Sequence, residues 1–213
     1  MSVQFNHLAI PTKRRVFFSF DYQQDIWRAN QVRQSWRYHK EAEREAFGFF
    51  DGSLWESSQR TGDDSLKALI REGMKNTSVT CILAGSQTWS RRWVQYEMAR
   101  SIVKGNGLLT VNIHQMANQQ GYASAPGKNP LSCMGVYRVD DGRILIAALD
   151  GNGIWQRYGD YTQAVGLPAG WVKPASRDVI PLSRYGNSYD YIDQNGGANF
   201  ADWVRAAALA AGR

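Results

Sequence analysis

Cysteine is scarce in this sequence: Cys81 and Cys133 are the only two among 213 residues. Two separated cysteines cannot provide the disulfide framework on which small secreted domains depend. No apolar run reaches the length that a membrane-spanning helix needs, and residues 1–13 lack the continuous apolar segment of a signal peptide. These absences predict a soluble protein of the reducing cytoplasm.

Most sequence patterns that mark enzyme active sites are missing as well. The three histidines, His7, His39 and His114, stand far apart and lack metal-ligand spacing to cysteines or acids, so no bound metal is predicted. The chain has no Gly-x-Ser-x-Gly elbow, no Walker Gly-Lys-Ser/Thr and no Gly-x-Gly-x-x-Gly after its first strand. Hydride transfer and P-loop phosphoryl transfer therefore find no support.

Apolar strands alternate with amphipathic helices through the first half of the chain. One helix is predicted to be capped by Asp25, and another to begin within residues 61–64. The connections are short, which favours an α/β fold with a doubly wound parallel sheet and helices on both faces. The predicted strands lie at 14–22, 46–56, 79–84 and 107–115.

The pattern changes between about residue 117 and residue 160. A polar loop is followed by three short apolar runs, and Asp-Gly and Asn-Gly turn sequences separate these runs. We interpret residues 117–160 as a loop and an antiparallel β-meander inserted into the α/β fold. A short final strand is predicted within 179–182, and Asn199 is predicted to cap the last helix. Residues 1–13 are interpreted as a leader and 14–213 as one domain.

Residues 90–104 form the most informative segment of the chain. Ser90 is predicted to cap an amphipathic helix whose apolar stripe faces the core. Trp93 and Glu97 are four residues apart and therefore share a neighbouring stripe, at the border between core and solvent. The core-facing stripe consists of Val94, Met98 and Ile102.

Candidate site residues stand where predicted parallel strands end, which is where open α/β sheets bind ligands. Several of them also have ordinary structural interpretations. Asp51 precedes a glycine and is typical of a turn, Asn112 is compatible with a solvated strand edge, and Trp93 is compatible with the core. The candidates are Ser19, Phe20, Asp21, Asp51, Ser86, Trp93, Glu97 and Asn112.

One carboxylate among aromatic side chains suits the cleavage of an N-glycosidic bond. That reaction passes through an oxocarbenium-like transition state, which a fixed carboxylate stabilises. A cationic pyridinium departs as a neutral molecule, so no general acid is needed. Aromatic rings can stack on nicotinamide or adenine, and the formal charge of +6 suits a pyrophosphate.

Four blocks of the sequence resemble the TIR-like subunits of the Thoeris antiphage defence system and, more broadly, bacterial TIR domains. Trp93-x-x-x-Glu97 matches the Trp-x-x-x-Glu motif of TIR domains, whose glutamate is the catalytic acid of the members that cleave NAD⁺. The four blocks are RRVFFSFDYQ, FDGSLWE, NTSVTCILAGSQT and RRWVQYEMARSIVKGN.

The resemblance implies a flavodoxin-like fold and an enzyme of NAD⁺ glycohydrolase or ADP-ribosyl cyclase type. NAD⁺ would be the substrate and no cofactor would be needed. The products would be nicotinamide and a cyclic ADP-ribose-type messenger, or a related ADP-ribose conjugate, that activates a separate effector. Glu97 would be the catalytic acid, with Trp93 and the loop of Ser19, Phe20 and Asp21 bordering the pocket. Related sequences carry histidine at the position of Asp21. The negative charge of Asp21 would therefore change which substrate is used or which product is formed.

Two other functions remain open from the sequence. The chain is compatible with a non-catalytic TIR module that docks other TIR domains. TIR–TIR contacts would allow a homo-oligomer, and the resemblance separately implies that a phage-derived component triggers NAD⁺ consumption. The positive charge is compatible with a nucleic-acid-binding α/β domain, although Arg28 and other cations are dispersed and are predicted to form a solvated face. Arg91 and Arg92, in the first turn of the predicted helix, indicate an anion or an acidic partner nearby.

Overall fold

The computed structural model describes residues 14–38, 44–46 and 62–213. Its helices are α1 (Tyr22–Tyr38), α2 (Asp63–Gly73), α3 (Arg92–Lys104) and α4 (Gly196–Ala210). Its strands are β1 (Arg14–Phe20), β2 (Arg44–Ala46), β3 (Val79–Ala84), β4 (Gly107–Asn112), β5 (Met134–Arg138), β6 (Ile144–Leu149), β7 (Trp155–Arg157), β8 (Ile180–Pro181) and β9 (Asn187–Asp190). None of the helices in these ranges is long and apolar enough to cross a membrane.

A parallel sheet with the strand order β2-β1-β3-β4-β9 forms the centre of the molecule. Every neighbouring pair in it runs parallel. The order is that of flavodoxin-like folds, in which the direction of winding reverses between β1 and β3. The predicted doubly wound α/β fold is confirmed, and the reversal point identifies the sheet edge at which ligands of such folds bind.

Both faces of the parallel sheet are covered, which explains why β3 is apolar and buried along its whole length. On one face, Val16 and Phe18 of β1 pack with α1 and α4, where Phe200 stacks on Phe18. On the other face, Phe17 packs against α2 and Ile82 packs against α3. The side chains of β1 therefore alternate between the two layers, as the period of a strand requires.

The predicted antiparallel insertion is also confirmed. It forms a second sheet with the order β7-β6-β5-β8, and its apolar side chains share a core with the stripe of α3. Val136 and Ile146, for example, are fully buried in that core. The second sheet thus takes the place that a helix would occupy in a plain doubly wound fold.

One strand prediction requires correction, and another falls largely outside the described residues. The segment 179–182 is not the last strand of the fold, because β8 pairs antiparallel with β5 in the second sheet. The strand that completes the parallel sheet is β9, a polar segment that pairs with β4. The predicted strand at 46–56 overlaps β2 only at Ala46, and residues 47–61 lie outside the described residues.

The central helix begins one residue later than the sequence predicts. Ser90 is not its N-cap: Ser90 ends a short 3₁₀ turn and donates a hydrogen bond to the carbonyl oxygen of Gln87. The N-cap is Arg91, whose side chain makes no capping bond. At the other end, Gly105 is the C-cap and adopts a left-handed φ of 74°, which glycine favours.

Two other predicted helix starts are wrong by a few residues. The helix α1 begins at Tyr22, so that Asp25 lies inside its first turn and does not cap it. The N-cap of α4 is Asn195 in a left-handed conformation, and Asn199 lies within the helix. Both errors arose because an Asp or Asn inside a first turn resembles a capping residue in sequence.

Candidate active site

The candidate site lies where β1 and β3 end side by side. Phe20 pairs in register with Leu83, so the loops that follow the two strands leave the sheet at the same edge. Helix α3 packs beside this edge, next to β1 and β3. Because winding reverses between these two strands, their carboxyl ends form an open crevice.

Glu97 lies on α3 with its side chain buried against β1. Only 4% of its surface is exposed, and its Oε2 accepts a hydrogen bond from Ser19 Oγ over 2.5 Å. Ser19 is itself 1% exposed. The sequence placed Glu97 at the border between core and solvent, whereas the structure places it inside, since the side chains of α2 and β1 cover this part of α3.

Burial raises the pKa of Glu97 to about 8, and the hydrogen bond from Ser19 opposes that rise. A charged carboxylate loses water when it is buried, which favours its protonated form. A carboxyl with a pKa near 8 is mostly protonated at neutral pH. Strongly shifted acids of this kind concentrate at functional sites.

A cavity of about 160 Å³ opens at the same edge. It contains three of the predicted site residues, Phe20, Asp21 and Trp93. Ser19 and Glu97 do not line it: they lie one strand residue and one helical turn away from Phe20 and Trp93. The other lining residues are Tyr22, Gln23, Arg91 and Arg92.

The acid at the end of β1 is neutralised within the chain. Arg91 Nε donates to Asp21 Oδ2 over 2.7 Å, and Asp21 Oδ1 accepts a hydrogen bond from the backbone N–H of Gln23 over 3.2 Å. The acidic partner that Arg91 indicated in the sequence is therefore a carboxylate of the protein itself. Arg91 connects the start of α3 to the loop after β1.

Arg92 joins α3 to the second sheet. Its Nε and Nη2 donate to the two carboxylate oxygens of Asp160 over 2.8 and 2.7 Å, and Nη2 also reaches Asp63 over 2.6 Å. The Arg92 guanidinium lowers the pKa of Asp160 and lies 4.8 Å from the ring centre of Trp93. Asp160 follows β7, so one guanidinium links the insertion to an aromatic side chain of the cavity.

Three predicted site residues are not part of this constellation. Ser86 is half-buried beside α1, where its hydroxyl donates to Gln24 Oε1 over 3.4 Å. Asn112 ends β4, which lies two strands away from β1, and its carbonyl oxygen accepts a hydrogen bond from Tyr191. Asp51 lies outside the described residues.

The sequence interpretation missed a buried ion pair next to the site. Arg28 was predicted to be solvated but is 4% exposed, and its Nη1 donates to Asp25 Oδ1 over 2.9 Å. Arg28 also donates to the carbonyl oxygens of Met116 and Tyr122 over 2.8 and 3.0 Å. The i, i+3 spacing of Asp25 and Arg28 was visible in the sequence, but the two carbonyls that bury Arg28 lie about ninety residues away.

Comparisons with known proteins identify the family of this chain. A family model described as "Thoeris protein ThsB, TIR-like domain" matches residues 17–118. A protein of Bacillus cereus (strain MSX-D12) named "Putative cyclic ADP-D-ribose synthase ThsB1" is 38% identical over 194 residues, which cover 90% of this chain and 98% of that protein. The chain belongs to the ThsB TIR-like family of Thoeris proteins.

The family model matches the part of the chain that contains the candidate site. The matched residues run from β1 to just beyond β4, and they include Ser19, Trp93 and Glu97. The similarity to the Bacillus cereus protein extends further, because it leaves only a tenth of the chain uncovered. At least part of the second sheet is therefore shared between the two proteins. The predicted family is confirmed.

Proposed function

We propose that this chain is an NAD⁺-cleaving enzyme that releases nicotinamide and forms a cyclic ADP-ribose-type product. The observation that carries the proposal is the position of Glu97, a buried carboxyl bonded to Ser19 at the edge where the winding of the sheet reverses. Support comes from the related Bacillus cereus protein, whose name describes a cyclic ADP-D-ribose synthase. The Trp93-x-x-x-Glu97 motif lies on the helix that borders the cavity.

The proposed reaction breaks the bond between ribose C1′ and the nicotinamide nitrogen. The bonding electron pair stays on nitrogen, so the pyridinium leaves as neutral nicotinamide without a proton donor. Positive charge develops at C1′ and on the ring oxygen, where a carboxylate stabilises it. An adenine nitrogen then attacks C1′ to close a ring, and the positive charge passes to the adenine, which becomes neutral again when its amino group loses a proton. Attack by water instead gives open ADP-ribose and a proton.

The burial of Glu97 has two opposing effects on this reaction. In a water-poor site an ionised carboxylate stabilises nearby positive charge more strongly than it does in water. The same burial raises the pKa of Glu97 to about 8, so the free protein holds it largely protonated at pH 7. Bound NAD⁺ brings a pyridinium cation, and a neighbouring cation favours the ionised carboxylate. The substrate thus promotes the charge state that the reaction requires.

The cavity accommodates only part of a dinucleotide. Its volume of about 160 Å³ is below the roughly 300 Å³ at which pockets for drug-sized ligands begin. Glu97 is buried and does not line the cavity, whose wall includes Phe20 and Trp93. We therefore infer that binding moves this wall, a local rearrangement common at sites that close on their ligands.

The wider role follows from the Thoeris family. The product would act as a messenger for a separate effector protein in defence against phage, and a phage component or self-association would trigger its synthesis. Cytoplasmic NAD⁺ would be the substrate pool.

The direct test compares the wild-type chain with Glu97→Gln. Purified protein is incubated with NAD⁺, and nicotinamide and cyclic ADP-ribose isomers are measured by chromatography with mass detection. Because the variant cannot carry the negative charge, we expect nicotinamide release to fall at least about 100-fold. Glu72→Gln is the matched control, since Glu72 is exposed and its carboxylate pairs with Lys75.

Full activity of Glu97→Gln would remove the proposed role of this residue. The same measurement on cells that express the chain, with and without phage, tests the trigger. Concentration-dependent assembly without turnover in either setting would favour the non-catalytic TIR module instead.

A further inference from the structure

Ser19 has a different place in the site from the one that its sequence position suggests. The family resemblance implies that Ser19 borders the pocket together with Phe20 and Asp21. Those two line the cavity, whereas Ser19 is almost fully buried and does not. Its hydroxyl is directed at Oε2 of Glu97 over 2.5 Å.

Within the described residues, Ser19 provides the one side-chain hydrogen bond to the Glu97 carboxylate. The bond joins two rigid elements whose residues are 78 positions apart in sequence. Ser19 lies in the interior of the sheet, paired with Ile82 of β3, so its own backbone position is fixed. A carboxylate with a single buried donor is oriented by that donor, since every rotation away from it leaves a buried polar group without a partner.

We propose that Ser19 is a positioning residue, whose hydroxyl holds the Glu97 carboxylate in one orientation and favours its ionised form. The catalytic part of this inference rests on the proposed function of Glu97. The hydroxyl acts through Glu97 and does not touch the substrate.

The electrostatics of the site agree with this assignment. Burial raises the pKa of Glu97, and the bond from Ser19 is what lowers it in return. Several charged groups on the neighbouring elements pair with one another: Arg91 with Asp21 beside β1, and Arg92 and Lys67 with Asp160 between α2 and the second sheet. Other titratable groups near α3 are Arg100, which lies over the ring of Tyr161, and Cys81 of β3, which belongs to the core on the opposite face of the sheet.

The same helix offers a matched control. Ser101 is also a fully buried serine, and its hydroxyl contacts the backbone carbonyl oxygen of Glu97 over 2.7 Å and Thr80 Oγ1 over 2.7 Å. It does not touch the carboxylate. Ser101→Ala therefore removes a buried hydroxyl next to Glu97 but keeps the hydrogen bond from Ser19 to the Glu97 carboxylate.

The experiment measures the ionisation of Glu97 directly. The full chain is labelled with ¹³C at the glutamate side-chain carboxyl, and the Glu97 signal is identified by its loss in Glu97→Gln. Titration then gives its midpoint in the wild type, Ser19→Ala, Ser19→Thr and Ser101→Ala. Removing a hydrogen bond to a charged group is expected to raise the midpoint by about one to two pH units in Ser19→Ala. Ser19→Thr keeps a hydroxyl and is expected to stay closer to the wild type, as is Ser101→Ala.

Steady-state kinetics provide the second measurement on the same variants. In Ser19→Ala we expect kcat to fall about tenfold or more at pH 7 with a smaller change in KM, and the rise of kcat with pH to move to higher pH. An unchanged midpoint together with an unchanged kcat profile in folded Ser19→Ala would overturn the inference. If the wild-type chain never releases nicotinamide, the proposed function is wrong. The titration needs no turnover and still shows whether Ser19 affects the ionisation of Glu97.

Discussion

Arg91 and Asp21 form an ion pair on the wall of the cavity, with 2.7 Å between Nε and Oδ2. Asp21 is 4% exposed, whereas 38% of the Arg91 side chain remains accessible. The guanidinium is thus close to any ligand in the cavity, but its charge is balanced while Asp21 is ionised. This pairing makes Asp21 a candidate regulator of how strongly the site attracts an anion.

The first prediction concerns Asp21→Asn. This variant keeps the shape of the side chain but leaves the charge of Arg91 unbalanced. We expect it to bind ADP-ribose roughly fivefold more tightly, because one neutralising charge a few ångströms from the pyrophosphate is removed. The affinity should also fall more steeply with added salt. Isothermal titration calorimetry at two salt concentrations measures both effects.

Asp140→Asn is the control for this prediction. Asp140 is likewise paired with an arginine, Arg177, but lies on an exposed hairpin of the second sheet. The Asp140→Asn variant should bind ADP-ribose with the affinity of the wild type. Equal or weaker binding by Asp21→Asn would mean that Arg91 does not attract the pyrophosphate.

The second prediction concerns stability and pH. The folded protein holds a proton on Glu97 up to a pKa of about 8, whereas the unfolded chain releases it near the ordinary value of 4.5. The contribution of Glu97 to the free energy of unfolding is therefore largest below pH 4.5, falls as the pH rises from 4.5 to about 8, and is smallest at alkaline pH. We expect the free energy of unfolding of the wild type to decline relative to Glu97→Gln by up to about 1.4 kcal/mol per pH unit within this window.

Urea unfolding of both proteins between pH 5 and pH 9 provides the measurement. The difference between them should change across the window and level off above pH 9, where Glu97 is ionised in both states. A difference that stays constant with pH would show that Glu97 titrates normally in the folded protein.

The location of the site was predictable because it depends on local patterns. The parallel strands are apolar and buried, and the motif of Trp93 and Glu97 follows one of them directly. The edge strand β9 could not be predicted in this way, since its polar sequence forms a strand only by pairing with β4. Long-range pairing decided the structure there, and local propensity did not.

Within the site, the rule that ligands bind at strand ends identified more residues than the cavity contains. Neighbouring strands are about 4.8 Å apart, so Asn112 on β4 lies roughly 10 Å from the line of β1. The burial of Glu97 and its bond to Ser19 depend on two segments that only the folded chain brings together. The partners of Arg91 and Arg92 were unpredictable for the same reason.

The third prediction concerns the link between the second sheet and α3. Asp160 is bound by both nitrogens of the Arg92 fork, and Arg92 lies over Trp93. We expect a double-mutant cycle of Asp160→Asn and Arg92→Met to give a coupling energy of about 1 kcal/mol, the upper end for partly exposed pairs. Asp160→Asn should also raise KM for NAD⁺. Without Asp160, Arg92 is no longer held over the ring of Trp93, which lines the cavity. Urea unfolding and initial rates measure the two effects, and a coupling near zero would show that the link does not stabilise α3.

The fourth prediction concerns the buried pair of Asp25 and Arg28. Burial raises the pKa of Asp25, and Arg28 opposes that rise, so each group depends on the other. Asp25→Ala leaves a guanidinium buried without its counter-charge, for which we expect a loss of roughly 3–5 kcal/mol in the free energy of unfolding.

The chain provides a matched control for this fourth prediction. Asp202 and Arg205 have the same i, i+3 spacing, but both are exposed on α4, and Asp202→Ala should cost less than about 1 kcal/mol. Urea unfolding of the two variants separates the effect of burial from that of helical spacing. Similar losses in the two variants would show that Asp25 contributes no more than a surface ion pair. A larger loss in Asp25→Ala, partly restored when Arg28 is also replaced by methionine, would identify the unpaired guanidinium as the cause, since that second change removes the stranded charge.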